Sequence, residues 1–357
     1  MAKQRTLVCL VSDQAVPNYL FIKELYQFGD EILLVASDKM KDKVSKLAEA
    51  LNWTNANIHT HVLSNIGIED DFIQLRHELS SLLEAERQYV ANLTGGNKPM
   101  AIALYEQMKA KANSEMYYMP YGKMHFQQIE TGERLDVKTK ITLADYFAMY
   151  GIIFRPTKST CLGDRTLADA FFKVYTTKMM NKEVVEALKN LQPHRNDKSI
   201  DITAEVASAL DYFGYLPKSE GKLTKKEIEY LTGGWFEEWA YYGIKEQYGL
   251  GDEYIAINAH IGKSNNELDV VLVRHNMLQI VECKSGIEDK KMLNSHLAKA
   301  NSIKANIKAL SATSTLLDLS GEKSVRENWK MAADAIGIGY MGKEALMDKA
   351  RCFAFVK

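Results

Sequence analysis

Residues 267–284 read ELDVVLVRHNMLQIVECK, and this stretch decides how the C-terminal part of the chain folds. Its two halves, residues 267–274 and 277–284, are rich in β-branched and aliphatic side chains, which favour β-strands. His275 and Asn276 lie between the two halves and supply turn chemistry. The pattern therefore predicts a β-hairpin.

The predicted hairpin carries two carboxylates and an ammonium group. Side chains alternate between the faces of a strand, so Glu282 and Lys284 share one face and Cys283 points to the other, towards apolar packing. Asp269 on the first strand can then lie opposite Glu282. Two such carboxylates would hold Mg²⁺ or Mn²⁺, and the metal would polarise a phosphoryl oxygen and lower the pKa of a bound water. Since Lys284 would stabilise the negative charge that grows in the transition state, the hairpin predicts a nuclease site.

An ordinary ion pair is the alternative interpretation of Glu282 and Lys284. Residues two apart on a half-exposed strand often pair in this way. Residues 278–281, which precede them in the same strand, are strongly apolar, and the other strand of the hairpin contains Asp269. These two features favour the catalytic interpretation.

Residues 233–248 begin GGWFEEW and continue with apolar side chains at helical spacing. They predict a helix whose first turn holds Glu237 and Glu238. An ordinary helix with acidic residues that complement the macrodipole would have the same pattern. Helical phase alone does not separate Glu237 from Glu238 as a site residue.

The N-terminal third has a different organisation. Strand-like and helix-like segments alternate through residues 6–111, which predicts a parallel, doubly wound sheet. Ligands of such sheets gather at the carboxyl ends of the strands, near the point where the strand order reverses. The loops at residues 12–18 (SDQAVPN) and 92–98 (NLTGGNK) follow predicted strands, so we expect both at this edge of the sheet.

The second of these loops has the composition of a phosphate cradle. Gly95 and Gly96 let backbone N–H groups approach a phosphate, the following helix offers its positive N-terminus, and Lys98 adds charge. A simple tight turn between a strand and a helix is the alternative interpretation of residues 94–96. A nicotinamide-binding fold is disfavoured because the first turn between strand and helix contains no glycine.

Composition is typical of a soluble enzyme with two domains. The chain has 357 residues and a formal net charge of −1, so contact with nucleic acid would need a local basic patch. The four cysteines are widely spaced, which disfavours structural zinc and disulfides and favours a reducing, cytoplasmic location. We find no signal-peptide pattern and no apolar run long enough to span a membrane, so neither secretion nor membrane insertion is expected.

The C-terminal residues resemble the PD-(D/E)xK nuclease superfamily, whose core is a helix with Glu, a strand with Asp and a strand with Glu-x-Lys. Gly233 and Glu237 match the start of the family's helix, so the resemblance favours Glu237 over Glu238. It implies a restriction-endonuclease-like α/β/α domain with Mn²⁺ or Mg²⁺ as cofactor. The implied catalytic residues are Glu237, Asp269, Glu282 and Lys284, and the implied metal ligands are Asp269, Glu282 and the backbone carbonyl of Cys283.

About the first 145 residues resemble the CRISPR-associated Rossmann-fold sensor domain, known as CARF. The resemblance rests on the Val-Ser-Asp…Pro-Asn loop and on the segment LTGGNKPMA at residues 93–101. Domains of this family dimerise and bind a cyclic oligoadenylate across the two-fold axis. The implied contacts with cyclic tetra-adenylate are Ser12, Asp13, Gln14, Asn18, Ser37, Thr94, Gly95, Gly96, Asn97 and Lys98.

The order of the two modules resembles that of the stand-alone ancillary nucleases of type III CRISPR defence, which are homodimers switched on by cyclic tetra-adenylate. The resemblance implies a sensor at residues 1–145, a helical connector at 146–225 and a nuclease at 226–357. It also implies a prokaryotic antiviral role and cleavage of DNA, RNA or both, mainly single-stranded and with little sequence preference. The alternative is a nucleotide-sensing regulator whose C-terminal module binds nucleic acid without cleaving it.

Overall fold

The computed structural model describes residues 5–64, 71–84, 86–156, 161–177, 181–262, 266–287, 290–307, 312–320, 323–348 and 350–356. Apart from residues 307–310, the chain divides after Phe154 into two compact units. Both units are mixed α/β structures, as predicted. No helix in the described ranges is long and apolar enough to cross a membrane.

The first unit is a seven-stranded sheet with helices between its strands. The strands are β1 (Arg5–Leu10), β2 (Glu31–Ala36), β3 (Asn57–Val62), β4 (Gln88–Asn92), β5 (Glu115–Tyr118), β6 (His125–Gln128) and β7 (Arg134–Asp136). The α-helices are α1 (Val16–Leu25), α2 (Lys41–Ala50), α3 (Phe72–Leu82), α4 (Lys98–Lys109) and α5 (Leu143–Met149). The strand order is β3-β2-β1-β4-β5-β6-β7, with the first five strands parallel and the last two antiparallel.

The order of the strands places a switch point between β1 and β4. The chain builds outwards from β1 through β2 to β3, and then returns to add β4 and β5 on the other side. β2 is buried along its whole length and β1 along all but its first residue, as expected for parallel strands covered on both faces. The predicted parallel sheet is therefore confirmed, and the antiparallel extension by β6 and β7 is an addition to it.

The second unit begins with helices and ends with a six-stranded sheet. The helices before the sheet are α6 (Arg165–Thr176), α7 (Lys182–Lys189), α8 (Ala204–Phe213), α9 (Lys225–Glu229) and α10 (Trp235–Tyr248). A small antiparallel pair, β9 (Ser199–Asp201) and β10 (Lys222–Thr224), lies among them. A short 3₁₀ turn spans Gln192–His194, and a π-helical turn spans Tyr230–Gly234.

The large sheet of this unit has the order β15-β14-β13-β12-β11-β8. Its strands are β8 (Phe154–Arg155), β11 (Ile255–Ile261), β12 (Asn266–Arg274), β13 (Met277–Lys284), β14 (Thr313–Asp318) and β15 (Gly339–Gly342). The helices α11 (Lys290–Ile307), α12 (Lys323–Asp334) and α13 (Lys343–Met347) connect or follow the last strands. β11, β12 and β13 are antiparallel to one another, while β13, β14 and β15 are parallel.

One hydrophobic core joins the helices of the second unit to its sheet. Phe171 of α6 stacks on Trp235 of α10 with ring centroids 5.6 Å apart, and Phe172 stacks on Trp239 at 3.9 Å. Buried side chains from β12, β13 and β14 belong to the same cluster. The core therefore continues across residue 225, where the sequence predicts a boundary between connector and nuclease. That boundary stays a prediction.

Candidate functional sites

The predicted hairpin is formed by β12 and β13. Their antiparallel ladder runs from Val270 opposite Val281 to Arg274 opposite Met277. Beyond Val270, the Asp269 carboxylate takes the place of a ladder partner, because its Oδ2 atom accepts a hydrogen bond of 2.8 Å from the backbone N–H of Cys283. The hairpin thus fixes the Asp269 side chain against the end of β13.

Lys284 connects the two carboxylates of the hairpin. Its Nζ atom donates to Asp269 Oδ2 at 2.8 Å and lies 3.4 Å from Glu282 Oε2. The Asp269 and Glu282 side chains are 9% and 1% exposed, and that of Lys284 is 21% exposed. Burial alone would lower the pKa of Lys284, but the charges of Asp269 and Glu282 outweigh it and raise the pKa above its usual range. Lys284 is therefore a firmly protonated cation.

Glu237 and Glu238 have different surroundings although they are adjacent in the first turn of α10. Glu237 lines a cavity together with Lys284, and burial with the nearby Asp269 charge raises the pKa of Glu237 to about 8. Glu238 is only 2% exposed, and its two carboxylate oxygens accept hydrogen bonds from the backbone N–H groups of Leu162 and Gly163 at 2.5 and 3.1 Å. Glu237 therefore lies at the candidate site, whereas Glu238 anchors the loop that contains Leu162 and Gly163.

A π-helical turn directly precedes α10, the helix whose first turn holds Glu237. The turn spans Tyr230–Gly234, and its Thr232 hydroxyl donates to the carbonyl oxygen of Ile228 at 2.6 Å. Turns of this kind are frequently found at functional sites. Thr232 and Gly233 line the same cavity as Glu237.

The cavity has a volume of about 690 Å³. Part of its lining comes from the predicted site, namely Glu237, Cys283 and Lys284. The remainder is Tyr175, Lys189, Gln192, Pro193, Arg195, Thr232, Gly233, Ser285, Gly286, Ile287, Met292, His296 and Ser320. Apart from Gly233, which the sequence matches to the start of the helix motif, this second group contains no candidate on sequence grounds, because its members come from separate segments of the chain.

The charges and donor atoms of the hairpin suit a hard divalent cation. Two buried carboxylates, Asp269 and Glu282, both lie within ion-pair distance of the Lys284 ammonium group. The donor atoms of the two carboxylates are oxygens, the ligands that Mg²⁺ and Mn²⁺ prefer. The thiol of Cys283 is not a competing ligand, because it belongs to the hydrophobic core and burial raises its pKa well above the usual value. Within the described ranges, no group of three or more His, Cys, Asp and Glu side chains could hold a metal.

In the first unit, the two predicted loops follow β1 and β4, which are adjacent and parallel. They therefore lie side by side at the switch point. Gly95 is required there, because a Cβ atom at this position would lie 1.9 Å from the carbonyl oxygen of Leu10. Gly96 has a φ of +70°, which favours glycine.

Hydrogen bonds between amide side chains connect these loops. Asn18 donates through Nδ2 to the carbonyl oxygen of Leu10 at 2.8 Å and accepts from Asn92 Nδ2 at 2.8 Å. The Oδ1 atom of Asn92 accepts from the hydroxyl and the backbone N–H of Thr94, at 2.6 and 3.1 Å. The Thr94 hydroxyl in turn accepts from the backbone N–H of Met119 at 2.8 Å. Asn92 is fully buried and is a positioning residue that the sequence alone does not single out.

The predicted ligand contacts differ in exposure. Asn18, Ser37 and Gly95 are buried, so a ligand would meet the backbone beside them rather than a free side chain. Asp13, Asn97 and Lys98 are exposed, while Ser12, Gln14, Thr94 and Gly96 are partly buried. Asp13 forms an ion pair with Lys43. Asn97 caps α4 by accepting from the N–H of Met100 at 2.9 Å, and the Ser12 hydroxyl accepts from the N–H of Gln14 at 3.3 Å.

The chain matches two family models. Residues 6–146 match the Card1 CARF domain, and residues 224–349 match the Card1-like endonuclease domain. No curated protein matches the chain.

Solved structures share the fold over nearly the whole chain. Can2 from Sulfobacillus thermosulfidooxidans, in complex with cyclic tetra-adenylate, is 21% identical with a TM-score of 0.75, covering 96% of this chain and 97% of Can2. Protein VC1899 from Vibrio cholerae is 15% identical with a TM-score of 0.77, covering 96% of this chain and 95% of VC1899. A type III CRISPR defence DNA nuclease activated by cyclic oligoadenylate is 16% identical with a TM-score of 0.59, covering 98% of this chain and 52% of that nuclease.

Apart from residues 307–310, each matched model lies within one of the two units. The Card1 CARF domain falls on the parallel sheet with its paired loops, and the endonuclease domain falls on the hairpin with its buried carboxylates. The chain therefore belongs to the Card1-like family of nucleases, in which a CARF domain is joined to an endonuclease domain.

Proposed function

We propose that this chain is a metal-dependent nuclease of type III CRISPR defence that is switched on by cyclic tetra-adenylate bound at its CARF domain. The observation that carries the proposal is the cluster of Asp269, Glu282 and Lys284 beside a cavity that Glu237 also lines. A buried carboxylate pair with a bound lysine is costly for stability, and such arrangements concentrate at functional sites.

We assign the binding of the metal to Asp269, Glu282 and the backbone carbonyl of Cys283. When bound, Mn²⁺ or Mg²⁺ would polarise a phosphoryl oxygen and lower the pKa of a water molecule. Lys284 would place its positive charge where the transition state becomes more negative. Glu237, whose pKa is raised to about 8 by burial and by Asp269, would hold or release a proton at the cavity wall.

We assign the binding of the activator to the loops after β1 and β4. Their place at the switch point of a parallel sheet supports this assignment, as does the likeness to Can2, whose structure contains cyclic tetra-adenylate. Gly95 and Gly96 would let the backbone approach a phosphate, and Lys98 would add charge. Asn18 would act indirectly, because its amide is already used to position the loops.

The remaining parts of the proposal concern organisation and substrate. We propose a homodimer with a sensor at residues 1–145, a connector at 146–225 and a nuclease at 226–357. The family models at residues 6–146 and 224–349 support the outer two divisions. The substrate would be DNA, RNA or both, mainly single-stranded and cut with little sequence preference.

Cleavage assays test this function directly. Labelled single-stranded DNA, single-stranded RNA and supercoiled plasmid are incubated with Mn²⁺ or Mg²⁺, with and without cyclic tetra-adenylate or cyclic hexa-adenylate. We expect cleavage that needs both a metal and cyclic tetra-adenylate, and that Lys284→Ala abolishes while ligand binding survives. Ligand binding without cleavage under any condition would instead favour a nucleotide-sensing regulator that binds nucleic acid without cutting it.

A further inference from the structure

One wall of the cavity is basic and lies outside the predicted catalytic cluster. Lys189, at the end of α7, and Arg195, just after the turn Gln192–His194, both line it. Both side chains are exposed. Among the residues that the structure describes, neither forms an ion pair. The two cations are therefore available to an anion that enters the cavity from solvent.

The basic wall is held firmly in place. Leu188 and Leu191, which flank Lys189 and the turn, are 0% and 2% exposed and belong to the main core of the second unit. Gln192 donates through Nε2 to the carbonyl oxygen of Thr232 at 2.9 Å. Thr232 lies in the π-helical turn just before α10, so this bond ties the wall to the segment that positions Glu237. The backbone that carries Lys189 and Arg195 is thus anchored next to the segment that holds Glu237.

The charges around the cavity are separated by sign. The acidic groups Glu237, Asp269 and Glu282 cluster with Lys284, whereas Lys189 and Arg195 come from a separate segment of the chain. A metal with its reacting phosphate suits the acidic side. A second anionic group would meet the basic side, and a nucleic-acid strand supplies phosphates at regular intervals on either side of the bond that is cut.

We infer that Lys189 and Arg195 form a phosphate-binding wall that holds the backbone of a nucleic-acid strand beside the scissile bond. This inference rests on the proposed nuclease function and adds the means by which its substrate is positioned. Ammonium and guanidinium groups bind phosphate oxygens without reading bases. The wall therefore gives affinity for any sequence, and both residues are positioning residues rather than catalytic ones.

Salt dependence of binding measures this contact without cleavage. The wild-type protein with cyclic tetra-adenylate is titrated, in EDTA, into fluorescein-labelled single-stranded DNA or RNA between about 50 and 200 mM salt. We expect Lys189→Gln and Arg195→Gln each to make the slope of log affinity against log salt shallower by about 0.7, and the double variant by about 1.4. Lys189→Arg should have the wild-type slope, because arginine keeps the positive charge of lysine.

Lys226→Gln is the matched control. Lys226 is exposed, belongs to the same unit and does not line the cavity, and it forms no ion pair within the described ranges. We expect this variant to keep the wild-type slope. In cleavage assays with metal, the wall variants should have a higher KM and a kcat within about twofold of wild type. The lost contacts would bind the substrate and the transition state equally, so their loss weakens binding without slowing the chemical step.

The outcomes separate this inference from the proposed function. Wild-type protein that binds the strand with the expected loss of slope in the variants, yet never cleaves, would support the wall and contradict the nuclease. Cleavage by wild type with unchanged slopes and KM in the variants would contradict the wall and leave the nuclease standing. An equal loss of slope in Lys226→Gln would also contradict the wall, because the effect would then be one of overall charge.

Discussion

Lys284→Met should make the protein less stable without metal and more dependent on metal for its stability. Methionine keeps the length and apolar stem of lysine and removes its charge and its hydrogen bond. The carboxylates of Asp269 and Glu282, 9% and 1% exposed, would then lose the ammonium group that pairs with both of them. A divalent cation bound to both carboxylates would replace the missing charge.

The magnitude follows from the burial of this cluster. Removing one partner of a buried ion pair costs about 3–5 kcal/mol at neutral pH. For a unit of this size, each kcal/mol lowers Tm by about 2–4 °C, so we expect a fall of about 6–20 °C in EDTA. Metal at about 100 times its Kd would return about 2.7 kcal/mol. The loss should shrink at acidic pH, because protonated carboxyl groups no longer repel each other.

Thermal unfolding in EDTA and in Mn²⁺ gives the measurement. Lys245→Met is the matched control, since Lys245 pairs with Asp252 at the surface, where the side chains are 32% and 82% exposed. Such a pair contributes about 0–1 kcal/mol, and its loss should not respond to metal. Equal Tm values for Lys284→Met and wild type in EDTA, or cleavage retained by Lys284→Met, would refute the proposed arrangement of charges.

Four further substitutions, in two matched pairs, separate the roles of individual residues. Glu237→Gln should lower cleavage by about 10²-fold or more, the scale of a lost proton-transfer group, whereas Glu238→Gln should keep most of the activity because its carboxylate binds backbone N–H groups away from the cavity. The pKa of Glu237 is raised to about 8, so its contribution to stability is complete below about pH 4.5 and is lost as pH rises through 8. Urea unfolding in EDTA should therefore show that wild type loses more stability than Glu237→Gln as the pH increases over this range, and parallel profiles would contradict the assigned environment. Gly95→Ala should abolish binding of cyclic tetra-adenylate in calorimetry, because its Cβ would lie 1.9 Å from the carbonyl oxygen of Leu10; Gly122→Ala, at a φ of +71° with no atom within 4 Å, should bind normally.

The hairpin could be predicted in full because its determinants are local. Alternation along a strand places Glu282 and Lys284 on one face, and the two-residue turn brings Asp269 to the end of the second strand. Glu237 could not be separated from Glu238 in the same way. Both lie in the first turn of one helix, and the difference arises from bonds between Glu238 and a loop about 75 residues earlier in the chain.

The first unit shows the same division between local and distant determinants. Alternating strands and helices predicted the parallel sheet and placed both loops at its carboxyl edge. The bond between Asn18 and Asn92 joins residues 74 positions apart, and only the folded sheet brings them together. β6 and β7 were not predicted, because strands of four and three residues with mixed polarity leave no clear pattern.

The side chains of Asn18 and Asn92 form a series of hydrogen bonds from Leu10 to Thr94, and this series affects the entropy of ligand binding. Fixing the backbone of a flexible residue costs about 1–2 kcal/mol, and here folding has already ordered the stems of both loops. A ligand bound at these loops, as we propose, would therefore meet a preorganised surface, with the exposed side chains of Asp13 and Lys98 at its edge. If cyclic oligoadenylates bind there, substitutions at Asp13 and Lys98 would change selectivity among them, while the hydrogen bonds of Asn18 and Asn92 would keep the shape of the two loops.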